Sequence, residues 1–336
     1  MTHAGIVDGI RSIPHSEIKA FKLCRREWYL RWYRGLRLKE TTLSEKRHTG
    51  DRVHRALQEW YVPDGEDRVD PREGIELAIM EDCQILHDHL VATGWDQMPS
   101  KHPDHQKLMK ANDLERIMVE GYMEWLAETG ADTGLRIIAP EVFMEVTLPE
   151  LENPAIRVVG KLDVRAVRIS DGARVFIDHK TRDSAPQMAE LLRDEQMLHY
   201  ELLEECANPD SASYCDGAIF NVLRRVKRSA TAKPPFYLRH FVPHNRHTKA
   251  AYRRRMVATI RDMIKAEEAL DQGAHHFDVA YPNPGKDCGW RCPFASSCHM
   301  FDDGSDVERL LSDRYQRDDP MYYYGDSRSH AVTTGE

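Results

Sequence analysis

The 336-residue sequence has no run of 18 uncharged apolar residues, so no membrane-spanning helix is expected. The opening stretch, Met1 to Ser12, lacks the apolar segment of a signal peptide, and the expectation is a cytoplasmic protein with no membrane role. Positive charge is not in excess either. The formal net charge is -8, which argues against a protein that coats nucleic acid without specificity, although a net value conceals how charge is distributed. There is no internal repeat. Seven cysteines is an odd number, and a cytosolic chain of this size needs no disulfides, so their spacing must be read another way. What is present, 41% hydrophobic and 30% charged residues, is globular and excludes wholesale disorder, collagen and coiled coil. The length allows two domains or one elaborated α/β unit.

Ser16 can cap a helix running to about Tyr33, with Gly35 ending it. A second helix is expected over Gly50 to Tyr61, where Val53, Leu57 and Trp60 repeat at helical spacing and His54 lies one residue off that stripe. Residues 73 to 128 read as mostly helical, with polar interruptions near Thr93 to Asp104. From Pro140 the pattern changes: Val142 to Leu148 and Ile156 to Ile169 are rich in β-branched residues and read as strands. The turn signal Ser170-Asp171-Gly172 joins the second of these to Arg174 to Thr181 in a hairpin. Helical periodicity follows over Gln187 to Glu204, then a strand over Ala218 to Arg225 and a helix over Tyr252 to Gly273. The end, Asp302 to Glu336, has nine acidic and four basic residues, carries Tyr322-Tyr323-Tyr324, and reads as a loosely ordered acidic tail.

In a strand, residues i and i+2 share a face, so Asp178 and Lys180 in Val-Phe-Ile-Asp-His-Lys-Thr project together. An aspartate and a lysine at the end of an apolar strand are costly to bury unless they pair or work. Asp163, on the neighbouring strand, can place its carboxylate beside that of Asp178. Two such carboxylates repel each other, and a divalent cation with hard oxygen ligands, Mg²⁺ or Mn²⁺, relieves the repulsion. A lone D-x-K is more often an ordinary ion pair, and a lone His54 an ordinary helical histidine. The company they keep changes this reading: Gly160-x-x-Asp163, Asp178-x-Lys180, Gln196-x-x-x-Tyr200 on one helix face, and Gly50-x-x-x-His54 upstream.

In this order the motifs resemble the PD-(D/E)XK nuclease superfamily, and within it the RecB-type and Cas4-like exonucleases, over roughly Ser16 to Cys298. The resemblance implies an α/β fold with a restriction-endonuclease-like central mixed sheet flanked by helices. It implies that His54, Asp163, Asp178 and the backbone carbonyl of His179 hold the cation. Lys180 would position or activate the attacking water, and Gln196 and Tyr200 would contact the DNA backbone or support the site. Asp178 stands where the family often has glutamate.

Near the C-terminus, Cys288-Gly-Trp-Arg-Cys292-Pro-Phe-Ala-Ser-Ser-Cys298 has the form of a ligand loop that lacks a fourth member. Cys83, Cys206 and Cys215 sit in apolar patterns and read as core thiols. Cys24 lies among basic and aromatic residues. The same resemblance implies that Cys24, Cys288, Cys292 and Cys298 hold a [4Fe-4S] cluster, although three residues between the first C-terminal pair, where the family often has two, leave structural Zn²⁺ open. Either group would clasp the N-terminal helix to the C-terminal segment.

Two basic stretches flank the motifs. Lys19 to Arg55 holds 12 Lys or Arg against four acidic residues, and Asn221 to Arg255 holds 11 against none. They could line a DNA channel, and Trp28, Tyr29, Trp32 and Tyr33 could stack on single-stranded bases or pack into the core. The expected protein is therefore one nuclease domain over residues 1–301, with a helical insertion over about 62–139 and a cysteine clasp, followed by the tail at 302–336. Its expected activity is metal-dependent exonuclease hydrolysis of DNA with a free end or single strand, in recombination, repair or phage-type replication. A helicase, recombination or integrase partner is compatible with this. Alternatives are a catalytically silent DNA-binding scaffold and a Cas4-type end-trimming subunit of a DNA-integration complex.

Overall fold

The computed structural model describes residues 3–39, 45–92, 103–208, 215–321 and 332–333. The chain opens with β1 (Ile6–Val7), β2 (Ile10–Pro14), α1 (His15–Leu23), α2 (Arg25–Trp28), a π-helical turn over Tyr29–Tyr33, and β3 (Leu36–Leu38). Three longer helices follow, α3 (Glu45–Gln58), α4 (Pro71–Ala92) and α5 (Pro103–Thr129). Next come β4 (Leu135–Val146), β5 (Ile156–Arg168), β6 (Arg174–Arg182), α6 (Met188–Leu191), α7 (Glu195–Ala207), β7 (Cys215–Arg224), β8 (Tyr237–Pro243) and α8 (Arg246–Asp271). The C-terminal part holds α9 (His276–Val279), α10 (Cys288–Arg291), α11 (Ala295–Cys298), α12 (Val307–Arg314), β9 (Tyr315–Arg317) and β10 (Val332–Thr333).

The main sheet is mixed, in the order β1-β2-β5-β6-β7-β8, with β4 along the other edge of β5. Alternation places the two faces of β6 in separate cores. Phe176 packs with Ile13, Phe21, Leu162, Tyr200, Leu203 and Phe220 on one side, whereas Val175 and Ile177 meet Val53, Leu57, Ile75, Met118 and Tyr122 on the other. Helices thus cover both faces, as the sequence led us to expect.

The arrangement that positions the site is a notch in this sheet. On one edge β5 pairs with β4 along nearly its whole length. Its other edge is shared: Ile156 to Val159 run parallel to β2, and Val164 to Val167 pair antiparallel with β6. Gly160 to Asp163, the G-x-x-D stretch, lies between these two ladders. The expected full-length hairpin is therefore half a hairpin, because β2 takes over the first half of β5. β2 is hard to see in sequence, since its five residues include Arg11, whose buried guanidinium is matched by Glu17 and Glu267.

Two further differences are instructive. The single helix expected over Ser16 to Tyr33 breaks at Cys24, whose backbone is extended (φ -161°, ψ 112°). The tail is folded as far as Met321: α12 packs through Leu311, and Tyr315 and Met321 are buried. β9 pairs with β3, and Arg26, Arg34 and Arg37 form ion pairs with Asp302, Glu308 and Asp318. The acidic end and the basic front are partly each other's counter-charges, so those arginines are not available to line a channel. Tyr322-Tyr323-Tyr324 and most of the 93–104 interruption lie outside the described residues.

Candidate active site

Asp163 sits at the floor of the notch. The next β5–β6 pair after Val164–Ile177 would join Asp163 to Asp178, but the ladder stops there. Instead the His179 backbone N–H donates to Asp163 Oδ2 at 2.7 Å, so a side chain replaces the missing strand acceptor. His54 Nδ1, from α3, lies 3.5 Å from the same oxygen. Burial opposes charge on Asp163, but the His54 imidazole outweighs it and holds the carboxyl well below the usual carboxylate range. Burial would likewise lower His54, yet Asp163 pushes it up to about 9.

Asp178 is 2% exposed. Lys180 Nζ donates to its Oδ1 at 3.0 Å and to Gln196 Oε1 at 3.2 Å, and Gln196 Nε2 donates to the Tyr200 hydroxyl at 2.8 Å. The D-x-K and Q-x-x-x-Y motifs thus form one continuous hydrogen-bonded line across β6 and α7. Gln196 is itself fixed at the helix start, where the Asp194 side chain caps its N–H. Burial, reinforced by the Asp163 charge, raises the Asp178 carboxyl despite Lys180. Its Oδ2 is 2.9 Å from the ammonium without hydrogen-bond geometry and has no hydrogen-bond partner. Gly160 explains its own place: a Cβ there would stand 2.6 Å from Leu203 Cδ1 and 3.0 Å from Tyr200 Cε1, so only glycine lets α7 approach β5 this closely.

The His179 ring turns to the opposite face from Asp178 and Lys180. Asn221 Nδ2 lies 2.8 Å from His179 Nδ1 and donates to the Tyr122 hydroxyl, while Asn221 Oδ1 accepts from Arg239 Nε at 3.1 Å. Because Arg239 can only donate, the amide orientation is set, and His179 Nδ1 must accept. Burial keeps this imidazole neutral, lowered to about 3.

Two bordering residues had no motif signal. Glu141, on β4, lies opposite Asp163 between the Pro140–Val164 and Val142–Leu162 pairs. A ligand atom from each of His54, Glu141 and Asp163 falls within 4.8 Å of the other two. The only hint in sequence was its place after Pro140 at the start of the β-rich block. His15, on α1 next to β2, lies against His199 with the rings tilted and their centroids 5.6 Å apart, and burial holds it neutral.

Away from the notch, Cys24, Cys288, Cys292 and Cys298 line one cavity of about 320 Å³, together with Arg26, Glu27, Asn283 and Arg291. Backbone N–H groups of Asn283 and Gly285 point at the Cys24 and Cys288 sulfurs, at 3.5 and 3.3 Å, and Arg26 Nη1 is 3.8 Å from Cys298 Sγ. Burial pushes the Cys292 thiol up to about 11 and raises Cys298 as well. Cys83, Cys206 and Cys215 are not among the cavity's lining residues; Cys215 is fully buried, the other two half-buried. Trp28, Tyr29, Trp32 and Tyr33 are core residues, which removes them as a stacking surface.

A sequence model of the PD-(D/E)XK nuclease superfamily matches residues 12–299. The chain belongs to this nuclease superfamily. The matched span runs from β2 through Cys298 and includes every residue of the notch. No curated protein matches the chain. Among solved structures, one described as a candidate exonuclease from Eubacterium rectale is similar at 9% identity and a TM-score of 0.33, over 79% of this chain and 94% of that one. A likeness at that level carries no argument about activity. Among the described residues, no helix is long and apolar enough to cross a membrane.

Proposed function

We propose that this nuclease-superfamily chain is a Mg²⁺- or Mn²⁺-dependent deoxyribonuclease of the Cas4/RecB-like type, acting exonucleolytically on DNA ends or single strands in recombination, repair or phage-type replication. The observation that carries this reading is the convergence of the half-buried Asp163 and Lys180 on the buried Asp178, whose carboxylate is held by the Lys180 ammonium at 2.9 Å. Its donor set, carboxylate oxygens with one imidazole, fits a hard divalent cation. His54, Asp163, Asp178 and the His179 carbonyl would hold it. When bound, such an ion polarises the phosphoryl oxygen and lowers the pKa of water.

The chain's own residues do the rest. Asp178 and Asp163 raise the Lys180 pKa against its burial, so the ammonium stays charged and offers a donor beside the attacking oxygen. Gln196 holds Lys180 in place, and Tyr200 holds Gln196. The Asn221–His179 bond fixes the end of β6, whose N–H in turn orients Asp163. The test is degradation of end-labelled linear DNA with Mg²⁺ or Mn²⁺, lost in Asp178→Ala and Lys180→Ala. Normal activity in both variants would refute the reading.

We propose further that the four clasp cysteines hold a [4Fe-4S] cluster. All four cysteines line one cavity of about 320 Å³, so a single group could take all four as ligands. Equal iron and sulfide, with absorption near about 400 nm, is the expected result; bound zinc in their place would overturn it.

A further inference from the structure

We propose that Arg239 is a positioning residue for the notch: it locks the helical insertion to β6 and thereby sets the end of the strand that carries Asp178 and Lys180. This deepens the nuclease reading and rests on it.

His179, Asn221 and Arg239 are direct register partners across β6, β7 and β8. Their side chains form one row on the face that the insertion covers, opposite Asp178 and Lys180. Asn221 is fully buried and His179 is 2% exposed. Arg239 Nε donates to Asn221 Oδ1 at 3.1 Å, and Asn221 Nδ2 lies 2.8 Å from His179 Nδ1. Through the His179 backbone N–H the row reaches Asp163. The same guanidinium holds the insertion at its other end. Nη1 donates to the Ala131 carbonyl at 2.9 Å, and Nη2 donates to the Tyr61 and Tyr122 hydroxyls at 2.6 and 3.0 Å.

The simpler account of Arg239 is an ion pair with Asp132, 2.5 Å away. Such a pair needs only one edge of the guanidinium, and it does not require Nε to reach Asn221. A guanidinium that is only 11% exposed is also a poor source of net stability, because desolvation offsets much of its attraction. What the fork supplies is direction. It can only donate, so Asn221 turns its oxygen to β8 and its amide N–H to β6. Neutral His179 is then left with one tautomer, its proton on Nε2. Lysine, with a single flexible ammonium, cannot make all these contacts at once.

The test uses the full chain with isotope-labelled histidine, its fold checked by circular dichroism. Imidazole nitrogen shifts report the His179 tautomer, assigned through His179→Gln, and amide exchange reports its N–H. Arg239→Lys should mix the tautomers, speed exchange of that N–H, and lower kcat for DNA cleavage about tenfold, with KM changed less than about twofold. Asp132→Asn removes only the ion pair and should leave the tautomer and kcat as in the wild type. A folded Arg239→Lys with wild-type tautomer and kcat would overturn the proposal. So would a raised KM at unchanged kcat, or Asp132→Asn behaving like Arg239→Lys. Should Arg239→Lys fail to fold, the nearly isosteric Asn221→Asp decides: it offers His179 an acceptor and should move the proton to Nδ1 and lower kcat, and no change in either would overturn the proposal. The nuclease reading fails separately, if the wild type cleaves no DNA; the tautomer and exchange would still show whether Arg239 sets the end of β6.

Discussion

The notch and the clasp are built from opposite materials. In the notch, each functional group is held by an element that the sheet already fixes: Asp163 by β5 and the His179 N–H, Lys180 by β6 and Gln196. The clasp rests on α10 and α11, four residues each, and on a helix broken at Cys24. It is tied to the N-terminal helices by side chains, Arg26 to Asp302 and to the Cys298 carbonyl, and Arg291 to Glu27. The difference teaches where each region's rigidity originates. Backbone ladders order the notch before anything binds, whereas the proposed cluster would supply much of the clasp's stability.

That contrast can be broken experimentally. The largest effect should come from Lys180→Ala: DNA cleavage falls roughly 10³-fold, the scale of losing one preorganised donor or more, while the melting temperature hardly moves. A clasp variant, Cys292→Ala, should do the reverse. It should lower stability by about 3 kcal/mol, on the scale of opening a long closed loop, with cleavage per folded molecule largely kept at low temperature. Equal melting temperatures for the two variants would erase the distinction. Gly160→Ala sits between them, because the added methyl must displace Leu203 and Tyr200; a loss of about 1–3 kcal/mol is expected, with reduced cleavage, read by denaturant titration.

A smaller effect probes the N-terminal end of the sheet. Burial alone would raise Glu17, but Arg11 and His3 lower it to about 2. Its folded pKa is therefore below its unfolded one, so it contributes stability above about pH 4.5 that is lost as pH falls toward about 2. Glu17→Gln should flatten the pH dependence of stability in that window; an unchanged acid profile would contradict the assignment. The smallest effect is Arg37→Ala. Its exposed ion pair with Asp318 should contribute no more than about 0.5 kcal/mol in urea titration, in contrast to the buried Arg26.

The legible parts of the sequence were those where chemistry and period coincide. Asp178-x-Lys180 and Gln196-x-x-x-Tyr200 could be read because strand and helix periods put each pair on one face, and the structure joins the two pairs through the Lys180–Gln196 bond. The division of β5 between β2 and β6 was not legible, since nothing in Gly160 to Asp163 records which strand lies beside it. Glu141 escaped for the same reason: it meets Asp163 through strand register, and no local spacing expresses register. β8 was hidden because Tyr-Leu-Arg-His-Phe-Val-Pro reads as part of a basic stretch. In the fold, Arg239 is drawn inward by Tyr61, Tyr122 and Asn221. Counting charge along the chain misjudged the basic front for a related reason, because its partners lie over 270 residues away, as for Arg26 and Asp302.

The central claim is that the notch cleaves DNA. Its most direct test is the time course of end-labelled linear DNA incubated with Mn²⁺ and either the wild-type chain or folded Asp178→Asn. The account predicts cation-dependent shortening by the wild type and none above background by the variant. Equal shortening by both proteins would contradict it, as would a wild type that leaves the DNA intact.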